Sequence, residues 1–146
     1  MSKYTIDLYE TAEGHRPIEK WLGELTPTQR RAVAAALDEV LAEEGQAVCG
    51  GHWGDPVGEG VFEFRIKHTE AQIRALGGGP KPAGKQQASS EKILLRIFCH
   101  AYGQRIVLLL GAYDKAKHDK APYQQKQITL AKKRLKDFNA RTRQKK

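Results

Sequence analysis

Cysteine is nearly absent from this chain: Cys49 and Cys99 are the two in 146 residues. Two thiols do not make the cross-linked framework of a small secreted domain, so two reduced cysteines in a cytoplasmic protein are expected. Long apolar runs are missing as well. No stretch approaches the roughly 18 apolar residues that a membrane span needs. The opening MSKYTIDLYE lacks an apolar signal core and starts directly with alternation, which predicts neither a leader nor a membrane anchor. Cofactor and metal signatures fail in the same way. The segment GGGPKPAGK has glycines and a lysine without the spacing of a phosphate loop. Cys49 and His52 have a ligand-like spacing, but Cys99 and His100 are adjacent on a strand and point to opposite faces. No metal and no cofactor are expected.

What is present is an ordinary globular composition with an unusual arrangement of charge. Apolar residues make up 40% and charged residues 29%, enough for one domain with a modest core over residues 1–146. Residues 112–146 carry twelve lysines and arginines against three acids, while residues 1–111 carry thirteen against fourteen. The whole net charge of +8 therefore comes from one end of the chain. A field so concentrated suits a polyanion such as RNA.

Periodicity predicts the order β-α-α-β-β-β-α. Tyr4 to Tyr9 alternates as a strand. Pro17 opens a short helix with Ile18, Trp21, Leu22 and Leu25 on one stripe. Thr26, Pro27 and Gln29 form a second helix start, and Gly45 is its stop. Residues 50–60 read as loop. Val61 to Ile66 alternates, with Phe62 and Phe64 on one face and Glu63 and Arg65 on the other. Residues 67–92 read as a flexible insertion, followed by strands at Ile93–His100 and Arg105–Leu110, the last broken at Gly111. Pro122 opens a basic helix with Ile128, Ala131, Leu135 and Phe138 facing the core, and 141–146 is a fraying basic tail. The fold class expected is α+β: a small antiparallel sheet, an N-terminal helical hairpin and a C-terminal helix, with the helices against one face.

Several blocks carry a family likeness: Gly14 with Pro17, Trp21 and Leu22; Val61 to Arg65; Leu95 to Phe98; Leu109 to Lys115; and the Gln124 to Arg134 helix. In this order they resemble the RelE/ParE toxin superfamily, in particular its HigB-like, phage-derived branch. The resemblance covers nearly the whole chain outside 67–92. It implies a RelE-like fold and an endoribonuclease, the toxin of a type II toxin–antitoxin system that cleaves mRNA on the ribosome without a metal. It also implies a partner antitoxin with a helix-turn-helix DNA-binding fold, and contact with mRNA and ribosomal RNA. Two alternatives stand beside it: a non-nuclease inhibitor of DNA gyrase, as in the ParE branch, and an inert phage-derived RNA-binding protein.

Cleavage through the ribose 2′-hydroxyl needs a base, an acid and cations for the developing phosphorane charge. Arg65 and Arg96, each matching the family's strand arginine, are the candidate phosphate clamp. The bland alternative pairs Arg65 with a strand carboxylate such as Glu63. Tyr113 is a candidate to stack on a base or orient the 2′-hydroxyl, Lys115 to neutralise phosphate, and His118 to move a proton. Lys117, Lys120, Lys132, Lys133, Arg134 and Lys136 are the candidate RNA-binding residues.

Overall fold

A computed structural model of the chain describes residues 3–76 and 93–144. Its core is a five-stranded mixed sheet in the order β1-β5-β4-β3-β2, with β1 at Thr5–Leu8, β2 at Gly54–Gly58, β3 at Val61–Ile66, β4 at Leu95–Tyr102 and β5 at Ile106–Asp114. Three of the four pairings are antiparallel, as consecutive strands with direct links dictate. The fourth departs from the antiparallel sheet expected. β1 runs parallel to β5, Thr5 opposite Ile106 through Leu8 opposite Leu109. The first strand has no later neighbour near it in sequence and takes the free edge of the last strand.

Helices lie on both faces, not on one. α1 (Pro17–Glu24) packs chiefly on β5, and α2 (Pro27–Ala36) chiefly on α4 (Glu70–Leu76). They cover a face built from Phe62, Phe64, Ile66, Leu95, Ile97, Cys99, Val107 and Leu109, all buried. α5 (Ala121–Gln144) covers the opposite face with Ile128, Ala131 and Leu135 against Val61, Phe98, Leu108 and Leu110. The apolar run from Val107 to Leu110 is thus a strand wanted by two layers at once.

The start of α2 has the expected capping box: Thr26 Oγ1 accepts from the Gln29 amide at 3.1 Å, and Gln29 Oε1 accepts from the Thr26 amide at 3.0 Å. The helix then passes through a π turn at Leu37–Leu41 into α3 (Ala42–Glu44) and stops at Gly45. There φ is +55° and a Cβ would lie 2.5 Å from the Tyr4 ring, so only glycine fits.

Four readings of local structure need correction. Residues 50–60 contain an edge strand, β2, whose Pro56 is tolerated because one side has no neighbour. The stretch from residue 67 holds α4, capped by Thr69 and Gln72 in a reciprocal pair and anchored by the buried Ile73; residues 77–92 lie outside those described. β5 does not break at Gly111 but continues to Asp114. Residues 141–144 are helical, and Arg141 is tied to Asp137 at 2.7 Å and to the Glu10 carbonyl at 2.5 Å.

Candidate functional site

The three central strands bring the expected residues into one row. Arg65 on β3 lies opposite Arg96 on β4, and Arg96 lies opposite Tyr113 on β5. All three belong to the face that α5 covers. A bulge between the pairs Phe98–Gly111 and Cys99–Leu109 leaves Leu110 without a partner on β4. This extra residue lets Leu108 and Tyr113 share the α5 face, although strict alternation would put them on opposite ones. Tyr113 is therefore a strand residue, not part of a loop after the strand.

A buried carboxylate organises the row. Glu63 is only 3% exposed and receives Arg65 Nε at 3.0 Å and Gln124 Nε2 of α5 at 2.8 Å; Arg96 Nε lies 3.5 Å away as an ion pair. Arg65 also donates to Asp55 of β2. Burial lowers the basicity of the Arg65 guanidinium, but the hydrogen bonds it donates to Glu63 and Asp55 outweigh this and hold its pKa above the ordinary arginine value. Arg96 moves the other way. Burial pulls it below the ordinary arginine value, and the field of Glu63 restores only part of the loss.

Two polar atoms in the row are buried without a hydrogen-bond partner among the described residues: Arg96 Nε and the Tyr113 hydroxyl. Burial, with Glu63 nearby, raises the Tyr113 phenol above its usual range. Unpaired buried polar groups cost roughly 1–3 kcal/mol each and are rare without a purpose.

The first turn of α5 and the preceding loop close over this row. Tyr123 packs on Tyr113 with ring centroids 5.4 Å apart, and the exposed His118 stacks on Tyr123 at 4.0 Å, nearly parallel. With Phe98 stacked on Tyr113 at 6.0 Å, the aromatics form a continuous path from core to rim. Asp114 anchors the loop, accepting from the Ala116 and His118 amides and from Gln29 of α2.

Arg65, Arg96, Tyr113 and, through Tyr123, His118 are thus brought together. Lys115 stands at the end of β5, its amide bonded to the Leu94 carbonyl, and its side chain has no partner in the network. Lys117 and Lys120 are exposed on the loop, and Lys133 and Lys136 on α5, with Lys132 half-buried beside Gly58. Arg134 is turned inward instead. Sequence reasoning missed Asp55, Tyr123 and Gln124, and used Glu63 only as a possible partner for Arg65. The available signal was a carboxylate two residues from an arginine on an otherwise apolar strand. Among the described residues no cluster of three His, Cys, Asp or Glu side chains is suited to a metal, and no helix is long and apolar enough to cross a membrane. Comparisons with protein-family models, curated proteins and solved structures find no match.

Proposed function

We propose that this protein is a RelE-like endoribonuclease, the toxin of a toxin–antitoxin pair that cleaves mRNA on the ribosome. The observation that carries the reading is the register-matched row Arg65–Arg96–Tyr113, which sets two permanent cations beside a hydroxyl under a basic helix. In this role the arginines take the charge of the phosphorane, and Tyr113 orients the 2′-hydroxyl. His118, on the exposed rim, takes the proton of the attacking 2′-hydroxyl and delivers it to the 5′-oxygen as the P–O5′ bond breaks, leaving a 2′,3′-cyclic phosphate. Because α5 closes the row, substrate entry requires its first turn to lift away from Glu63. The lysines of α5 then hold the RNA backbone, and a helix-turn-helix antitoxin is the partner that keeps the activity in check.

Tyr113→Phe is the cleanest test. It deletes a buried hydroxyl without a partner, so stability should be unchanged or slightly higher. Cleavage of a translated mRNA should fall by about 10²-fold if that hydroxyl serves the chemistry. Equal cleavage by a folded Tyr113→Phe protein removes Tyr113 from the site, and equal toxicity of a folded Arg96→Ala protein removes the clamp.

A second reading has its own observation. Arg65 is held by two carboxylates and Arg96 is covered, as in a scaffold that binds without cutting. A gyrase inhibitor of the ParE type would leave cellular RNA intact and damage DNA on expression, which separates the two.

A further inference from the structure

We propose a second subsite, for one nucleotide of single-stranded nucleic acid, in the groove that α1 and the loop before it form with Arg134 of α5, with Trp21 in its lining. The choice of ligand rests on the nucleic-acid reading above; the site itself rests on the following observations.

Five arginines among the described residues are at least partly buried: Arg65, Arg74, Arg96, Arg134 and Arg141. Four of them hold a carboxylate. Arg134 holds none. Its Nη1 donates to the Leu110 carbonyl at 2.8 Å, and its guanidinium lies 5.9 Å from the centre of the Tyr9 ring. Burial lowers its basicity from the ordinary arginine value; the Tyr9 phenol restores a part, and no carboxylate contributes. A desolvated cation fixed by a carbonyl and a ring is prepared for an anion that the chain does not supply.

The groove has the size for such a guest. It spans about 900 Å³ and is lined by Arg16, Glu19, Lys20, Trp21, Glu24 and Arg134. Arg16 is satisfied by Glu19 at 3.0 Å and Glu10 at 3.7 Å, which leaves Lys20 and Arg134 as the available cations. An indole next to two cations is the pairing that single strands use: the base stacks on the ring and the phosphate meets the charge. An acidic peptide would use the charge and leave the indole idle.

Position links the groove to the arginine row. Arg134 Nη1 sits 3.4 Å from where a Cβ on Gly111 would be, and Gly111 precedes Tyr113 by two residues on β5. That is about 6.6–6.8 Å along a strand. Gly111 thus makes room for a guanidinium one strand repeat along β5 from the backbone of Tyr113, and the groove receives the nucleotide adjoining the one held at Arg96.

The test uses oligodeoxythymidylates of two to eight nucleotides, which lack the 2′-hydroxyl and are not cut. Binding should quench tryptophan fluorescence, and the quench should vanish in Trp21→Phe and persist in Trp53→Phe. Arg134→Gln should weaken binding about tenfold and reduce the slope of log K against log salt by about 0.7, the value of one phosphate contact on a single strand. Arg134→Lys should keep most of that slope. If Arg134→Gln does not fold, the exposed Lys20→Gln should reduce the slope by a similar amount. Unchanged affinity and slope in folded variants, or a quench that follows Trp53, overturns the subsite. So does poly-glutamate competing as well as the oligonucleotide. Failure of the nuclease reading looks different: oligonucleotide binds at Trp21 and Arg134, yet no RNA is cut.

Discussion

The two faces of the sheet solve burial in opposite ways. The face under α1, α2 and α4 is apolar throughout, with Phe62, Phe64, Ile66, Leu95 and Ile97 each 1% exposed or less. The face under α5 is apolar only where Ile128, Ala131 and Leu135 reach it; toward the start of α5 it changes to Glu63, Arg65, Arg96 and Gln124. The same strands thus supply a dry layer that needs only shape and a charged layer that needs every partner present. A buried ion network of this kind stabilises little compared with apolar residues of the same volume. On the sheet itself the charged row is confined to this face, and the proposed RNA site would account for its place there.

The contrast is broken most severely by Glu63→Ala. Removing the central carboxylate leaves Arg96 buried and uncompensated and should cost about 3–5 kcal/mol in urea unfolding, on a par with truncating a core phenylalanine. Replacing Glu63, Arg65 and Arg96 together by Leu, Met and Met should return that stability or exceed it while abolishing RNA cleavage. A triple variant that stays as unstable as Glu63→Ala would show that the charged face is structural after all.

Gln124→Ala is milder. It deletes one hydrogen bond to a buried charge, worth about 1.5–3 kcal/mol, and frees the first turn of α5. Amide exchange across residues 121–126 should quicken, and RNA cleavage should rise. Lower stability with unchanged exchange there would separate Gln124 from any covering role.

The smallest effect is alkaline. Burial raises the phenols of Tyr9, Tyr102 and Tyr113 above their ordinary range, with nearby acids adding to each. A raised folded-state value means that the folded chain holds its protons longer. The stabilisation is complete below the unfolded value of about 10 and is lost as pH rises through the folded values. Phenolate absorbance should show these three titrating late, with thermal stability declining above pH 10.

Much of this was legible locally, and what failed was nonlocal. Thr26 with Gln29, Gly45 and the alternation of Val61–Ile66 all act within a few residues, and each appears as its pattern predicts. The row Arg65–Arg96 was legible too, since a charge in an apolar strand needs a reason. Tyr113 was placed beyond the strand because Gly111 reads as a break, whereas β5 runs through it to Asp114 with a bulge at Leu110 that no residue type announces. Asp55 was hidden in a glycine-rich stretch that pairs only because β3 offers an edge. Gln124 was invisible because its partner lies 61 residues away. The covering of both faces, and the parallel β1, follow from which edges remain free once the hairpins have formed.

That parallel strand has a consequence for the timing of synthesis. Thr5 pairs with Ile106, so β1 waits for a partner about a hundred residues later. At 5–20 residues per second the interval is on the order of 5–20 s, during which β1 has no sheet to join. β5 also supplies Tyr113 to the row and is followed by the helix that covers it. Residues 106–144 therefore close the sheet, complete the row and lay α5 over it, and no earlier stretch of the chain holds the row intact. Pairing across so long a separation raises contact order, the feature that slows folding among small domains.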